Sequence, residues 1–237
     1  VRTLPLRLAQ VDGESLPGYI ARYVHTFQIQ PGDVVRALGL DAGAGTTGAA
    51  ARYGLSLSAE QLQHAAVTSG IATEVLERML LSRYVGRAAD QASTAPAVLG
   101  DAMREHKVWI WCSQFCPGCL REDGAWRLRW QLGCNMICVT HQVLLRLRCP
   151  QCARVPQVSS HRRWPQDHHG VLTDPTRCWR RRGLALCRAD LATADAVSVA
   201  GETRLIGSER QIDALLDGHY PSHRRAGSNY PPDGKVA

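Results

Sequence analysis

All nine cysteines of this chain fall between Cys112 and Cys187, and none lies in the first 111 or the last 50 residues. Grouped cysteines in a cytosolic chain bind metal more often than they form disulfides, so this placement constrains the fold more than any other feature. Cys116-Pro-Gly-Cys119 and Cys138-Val-Thr-His141 are two ligand pairs with 18 residues between them. Each x-x spacing puts both donors on one side of a tight turn, and two such pairs complete the tetrahedron of a structural zinc site. Thiolates and imidazole suit zinc and suit magnesium or calcium poorly.

Cys149-Pro-Gln-Cys152 forms another knuckle, with only seven residues between it and His141, so its partners must come from further along. Cys178 and Cys187 are the economical choice. His161, His168 and His169 lie within the intervening 25 residues as alternative donors. Cys112 and Cys134 are left over and read as small buried hydrophobes. The expectation is two Zn²⁺ per chain, held by Cys116, Cys119, Cys138 and His141 and by Cys149, Cys152, Cys178 and Cys187.

Charge follows the cysteines. The chain of 237 residues carries a formal +7, and residues 101–190 alone hold 15 Arg or Lys against seven acids. All six tryptophans, Trp109, Trp111, Trp126, Trp130, Trp164 and Trp179, lie in the same region. Large rings packed on the knuckles explain them structurally, because a metal-stapled module has little core of its own. Stacking on bases is the functional alternative. Arg127, Arg129, Arg162, Arg163, Arg180, Arg181 and Arg182 are the candidate contacts to nucleic acid or a protein partner. Seven metal-bound thiolates set against the four charges of two Zn²⁺ would lower the formal +7 to about +4. The chain is then less generically basic than its composition implies.

The N-terminal part reads as helical. Leu16, Ile20, Tyr23, Val24 and Phe27 recur at three- and four-residue steps behind a Ser15 cap. Pro31 opens a short helix through Val34, Val35 and Leu38 that stops at Gly39. Residues 41–51 have no large side chain and read as a loop. Ser58-Ala-Glu-Gln61 is a capping box with Leu62, Ala65 and Ala66 facing inward. After Gly70 a further helix has Thr73 as its cap and Val75, Leu76, Met79 and Leu80 as its stripe. Two helices on a Gly turn fit a helix-turn-helix and equally an ordinary helical hairpin. Glu74 and Glu77 on the second helix argue against its facing phosphates.

The organisation read from the sequence is a helical, helix-turn-helix domain over 1–87, a linker over 88–105, zinc modules over 106–146 and 147–192, a C-terminal helical segment over 193–218 and a disordered tail over 219–237. The Ser208-Glu-Arg-Gln211 capping box opens the C-terminal helix. The fold class is mainly α, with small zinc-finger or zinc-ribbon units.

Several chemistries are missing. There is no His-x-Glu ahead of a Pro-Cys-x-x-Cys, no His-Glu-x-x-His, no phosphate loop and no Gly-x-Ser-x-Gly elbow. Four protein ligands close each proposed metal site, leaving no place for substrate, so an enzyme is not expected. No stretch is apolar for long enough to span a membrane, and Val1-Arg2-Thr3-Leu4-Pro5 shows no signal-peptide core, so a cytoplasmic protein is the expectation.

Taken in order, these residues resemble a known family. Glu14-Ser15-Leu16 with Tyr19-Ile20-Ala21-Arg22, a helical hairpin, Phe115-Cys116-Pro117-Gly118-Cys119-Leu120, Trp126, Trp130, Cys138-x-x-His141, Leu144-Leu145 and Cys149-Pro150-x-Cys152 resemble the TniQ family. That family, related to TnsD, supplies target-selection subunits to Tn7-like and Tn5053-like bacterial transposons. The resemblance implies a helix-turn-helix domain with two tandem zinc modules, acting as a non-catalytic adaptor near the nucleoid. It would join attachment-site DNA or an RNA-guided CRISPR effector to the transposon's AAA+ ATPase, which recruits the transposase; a homodimer is compatible with this. Val139 departs from the proline that often follows the third ligand. The chain also lacks the long C-terminal extension of TnsD-type members, which favours delegated targeting. The alternative is a zinc-containing transcriptional regulator that reads DNA with its helix-turn-helix.

Overall fold

The computed structural model describes residues 4, 6–40, 54–85, 108–109, 112–156, 174–182 and 185–218. The readings of residues 41–51 as a loop, 88–105 as a linker and 219–237 as a tail therefore lie outside the described residues.

Among the described residues, four short helices build the N-terminal unit. Helix α1 (Leu16–Phe27) begins where Ser15 Oγ accepts from Gly18 N at 3.1 Å, and ends at Gln28 with φ +51°. It is buried along most of its length because Tyr19, Ile20, Tyr23 and Val24 meet the other helices on several sides. Helix α2 (Pro31–Ala37) stops ahead of Gly39, whose φ of +69° no L residue adopts cheaply. Helix α3 (Ala59–Ser69) has both capping-box bonds, Gln61 N to Ser58 Oγ and Ser58 N to Gln61 Oε1, and closes on Gly70 at φ +74°.

Helix α4 (Thr73–Arg78) has only six residues, and its N-cap is Ala72, not the expected Thr73. The chain turns at Met79 and enters a 3-10 turn over Leu81–Tyr84, so Leu76, Met79 and Leu80 reach the core from a bent segment. Glu74, Glu77 and Arg78 on this segment are exposed.

The cysteine-bearing unit has little regular structure. Helix α5 (Pro117–Asp123) grows out of the first knuckle, and a 3-10 turn spans Leu128–Gln131. Strand β1 (Ile137–Cys138) pairs antiparallel with β2 (Val143–Leu144), and β3 (Arg181–Arg182) with β4 (Ala185–Leu186). Six of the cysteines expected as ligands, Cys116, Cys119, Cys138, Cys149, Cys178 and Cys187, lie in one hydrophobic core with Phe115, Trp126 and Trp130. Both knuckles thus share a single interior.

Helix α6 (Thr203–Leu216) follows. It starts five residues before the expected Ser208 cap. Ile206 packs on Ile137 and Val199, and the Val199–Glu202 turn starts the helix without a side-chain cap. Tertiary packing here overrides the local signal.

The two units meet along the Glu14-Ser15 segment. Ser15 N donates to Trp126 O at 2.9 Å and Leu128 N to Gly13 O at 2.8 Å. A Cβ on Gly18 would lie 3.0 Å from Trp126 Cβ, so the bare glycine lets α1 approach that ring. Glu14, 0% exposed, takes both Arg22 Nε at 2.9 Å and Arg22 Nη2 at 2.8 Å. Burial raises the Glu14 pKa, and Arg22 opposes it only in part.

Candidate metal centres

The first cluster joins the α5 knuckle to the β1–β2 hairpin. Cys116 precedes α5 and Cys119 lies in its first turn; Cys138 ends β1 and His141 sits in the turn that follows. Cys119 Sγ lies 3.5 Å from Cys138 Sγ and 3.4 Å from His141 Nδ1, and Cys138 Sγ lies 3.6 Å from that same nitrogen. The second cluster joins the Cys149–Cys152 turn to the β3–β4 hairpin. Cys149 Sγ is 3.6 Å from Cys187 Sγ, and Cys152 Sγ is 3.7 Å from Cys178 Sγ. Within each group all four donor atoms lie within 4.8 Å of one another.

These distances suit a metal. Zn–S bonds of about 2.3 Å and Zn–N bonds of about 2.0 Å in a regular tetrahedron put two sulfurs about 3.8 Å apart, and sulfur and nitrogen about 3.5 Å apart. The observed edges lie within a few tenths of an ångström of those values. A disulfide is far shorter, at about 2.05 Å. The donors are soft and mostly buried, so the two clusters can hold metal ions and are consistent with zinc.

Backbone N–H groups prepare the sulfurs. Cys116 accepts from the amide of Cys119, Cys138 from that of His141, Cys178 from that of Arg180 and Cys187 from that of Ala189. Burial raises Cys149, but the amides of Cys152 and Gln151, together with the thiols of Cys187 and Cys178, outweigh it and bring that thiol below its ordinary value. Cys138 is lowered because the thiols of Cys116 and Cys119 hydrogen-bond to it, and Cys119 is raised chiefly by its hydrogen bond with Cys116 and next by that with Cys138. One sulfur in each cluster, Cys138 in the first and Cys149 in the second, is thus drawn toward thiolate, the form that binds metal, while Cys116, Cys119, Cys178 and Cys187 are held above their ordinary values.

His141 is held from both sides. Its Nδ1 faces the sulfurs and its Nε2 lies 3.0 Å from Glu122 Oε1 on α5, which fixes the ring for ligation. Burial lowers its pKa, but contacts with Cys138 and Glu122 prevail and raise it. Gly118 sits beneath the ring: a Cβ there would lie 2.4 Å from Cδ2 and 2.6 Å from Nε2 of His141. Sequence reading missed both residues. The Gly within Cys-Pro-Gly-Cys was a usable signal, whereas nothing local marks Glu122.

Among the described residues, three tryptophans belong to the core. Trp126 and Trp130 are buried edge to face at 6.2 Å, and Trp126 Nε1 donates to Pro175 O at 2.9 Å. Trp179 is buried and donates to Asp174 O at 3.1 Å; Trp109 is half-buried. Trp111 and Trp164 lie outside the described residues, as do His161, His168 and His169.

Three of the arginines read as contacts are engaged internally instead. Arg127 pairs with Asp123 at 2.6 Å and Arg129 with Asp213 at 2.6 Å. Arg180 donates to Val155 O at 2.6 Å and to Cys112 Sγ at 2.9 Å. Arg181 and Arg182 form β3, and Arg162 and Arg163 lie outside the described residues. The leftover cysteines also depart from expectation, since Cys134 is exposed on a turn and Cys112 only half-buried under Arg180.

With this geometry in place, comparison with known proteins decides the family. A model of the TniQ family matches residues 5–145, more than half of the chain. The chain belongs to the TniQ family. The TniQ match takes in the helical unit and the whole first cluster, and ends before the second. No curated protein matches the chain. A TniQ domain fits a transposition-associated protein of target selection. Among the described residues no helix is long and apolar enough to cross a membrane.

Proposed function

We propose that this TniQ protein is a non-catalytic target-selection adaptor. It links a target-recognising element, a DNA site or an RNA-guided CRISPR effector, to the transposon's AAA+ ATPase and through it to the transposase. The match over residues 5–145 carries this reading. The clusters support it: four donors fill each tetrahedral Zn²⁺, so two ions per chain make rigid platforms rather than reaction centres. The α3–α4 pair acts as a helix-turn-helix-shaped scaffold, and the cysteine-bearing unit as two fused zinc-ribbon-like halves. Arg127, Arg129 and Arg180 are tied inward, and Arg162, Arg163, Arg181 and Arg182 stay as the candidate contacts to nucleic acid or a protein partner.

Fluorescence polarisation with labelled duplex DNA tests the proposal, run with and without the cognate ATPase and at increasing salt. An adaptor binds duplex weakly alone and tightly once the ATPase is present, with affinity falling steeply as salt rises. Tight, sequence-specific binding by this protein alone refutes the adaptor and establishes a helix-turn-helix transcriptional regulator instead.

A further inference from the structure

Helix α6 lies beyond the stretch matched to the family, and its contacts are unusual in their division. Glu209, Asp213 and Asp217 are spaced four residues apart and so share one face. Each reaches a different element. Glu209 accepts from the Asn135 side chain and from Met136 N at 3.1 Å, at the entrance to β1. Asp213 takes Arg129 Nη1 at 2.6 Å, from the turn that seats Trp130. Asp217 takes Arg83 Nη2 at 2.6 Å, from the turn that closes the helical unit.

The apolar side chains repeat this division. Ile206 packs on Ile137 of the cysteine-bearing unit. Ile212 and Leu216 join a cluster with Leu81 and Tyr84 from the helical unit and Leu128 and Leu132 from the other. Among the described residues, the backbone hydrogen bonds between the units are the two at Gly13–Leu128 and Ser15–Trp126, a crossing short enough to serve as a pivot.

We propose that α6 is a brace that fixes the angle between the helical and zinc-bearing units, and that it releases from its C-terminal end. The direction follows from burial. Glu209 is 4% exposed, whereas the Asp217 side chain is 51% exposed. Beside the Asp217–Arg83 pair lies an open pocket of about 470 Å³ lined in part by Leu57, Leu62 and Leu80, and of the three carboxylates Asp217 is the most exposed. Detachment would leave both units folded and change only their relative angle. An adaptor contacting one partner through each unit would thereby have its two faces set by a helix that touches neither cluster's ligands.

The test uses the full, zinc-loaded chain with spin labels on non-natural residues at Val67 and Leu147, both exposed and one on each unit, so that no thiol is modified. The wild type should give one narrow label-to-label distance, with amides at 213–217 exchanging faster than those at 206–210. Asp213→Lys with Asp217→Lys should speed α6 exchange about tenfold, broaden the distance and leave two zinc ions bound. Adding Arg83→Glu and Arg129→Glu should restore the narrow distance. The brace is overturned if α6 exchanges freely while the distance stays narrow, if exchange in the double variant is unchanged, if 206–210 opens first, or if zinc is lost along with α6.

Discussion

Replacing Gly118 by alanine sets two physical effects against each other, and the structure decides the sign. Gly118 lies in the first turn of α5 with ordinary helical backbone, so in isolation the substitution should stabilise the helix by up to about 1 kcal/mol. The added methyl, however, would sit 2.4 Å from Cδ2, 2.6 Å from Nε2 and 2.7 Å from Cγ of His141. Carbon contacts need about 3.5 Å, so the ring must retreat by about 1 Å, several times the roughly 0.2 Å that a metal–ligand bond tolerates. Structural zinc contributes about 10–16 kcal/mol over four ligands, so losing the imidazole costs about 3 kcal/mol, or roughly 100-fold in affinity at this site. Competitive titration of the purified chain with a chromophoric zinc chelator reads both sites. One should weaken by that factor while the four-cysteine site holds its wild-type affinity. Two wild-type affinities in Gly118→Ala would refute the placement of His141 over the knuckle.

Further perturbations test other joints. Glu14→Ala leaves the half-buried Arg22 without its counter-charge, with Ala9 O as a remaining partner, and should cost about 3 kcal/mol in urea unfolding. Because burial already raises the Glu14 pKa, the apolar pair Glu14→Leu with Arg22→Met should cost less than the single change. Stripping metal with a strong chelator should red-shift tryptophan emission, since every tryptophan lies at 109–179, yet retain most of the far-ultraviolet helical signal, because α1–α4 have their own core. Burial also raises the pKa of Glu209, with the Met136 amide opposing it. A carboxyl raised on folding binds more protons when folded, so its contribution is full below the usual 4.5 and lost as pH rises through the higher folded value. Thermal unfolding should therefore show Glu209→Gln gaining on the wild type as pH rises through that window, and both proteins share the same zinc chemistry.

What the sequence disclosed was local. The Ser15 cap, the capping box at Ser58 and the positive-φ glycines Gly39 and Gly70 are fixed by neighbours within a few residues, and each stands where the pattern put it. The metal groups were legible for a related reason, since x-x spacing is itself a geometry. Cys178 and Cys187 lacked that spacing, yet the β3–β4 hairpin folds the eight residues between them so that Cys187 N meets Arg180 O at 2.8 Å. Hidden from the sequence was everything decided across the fold. Arg129 finds Asp213 across 84 residues, so its charge could not be assigned to a partner surface or to the interior from its neighbours alone. The start of α6 at Thr203 depends likewise on Ile137, far upstream.

The central claim is that both clusters are closed zinc sites on which the adaptor is built. Elemental analysis of the purified chain, with zinc-edge X-ray absorption on the same sample, tests it most directly. The prediction is two zinc ions per chain, surrounded by seven sulfurs and one nitrogen in total. A single ion, or an oxygen from water in either shell, contradicts it.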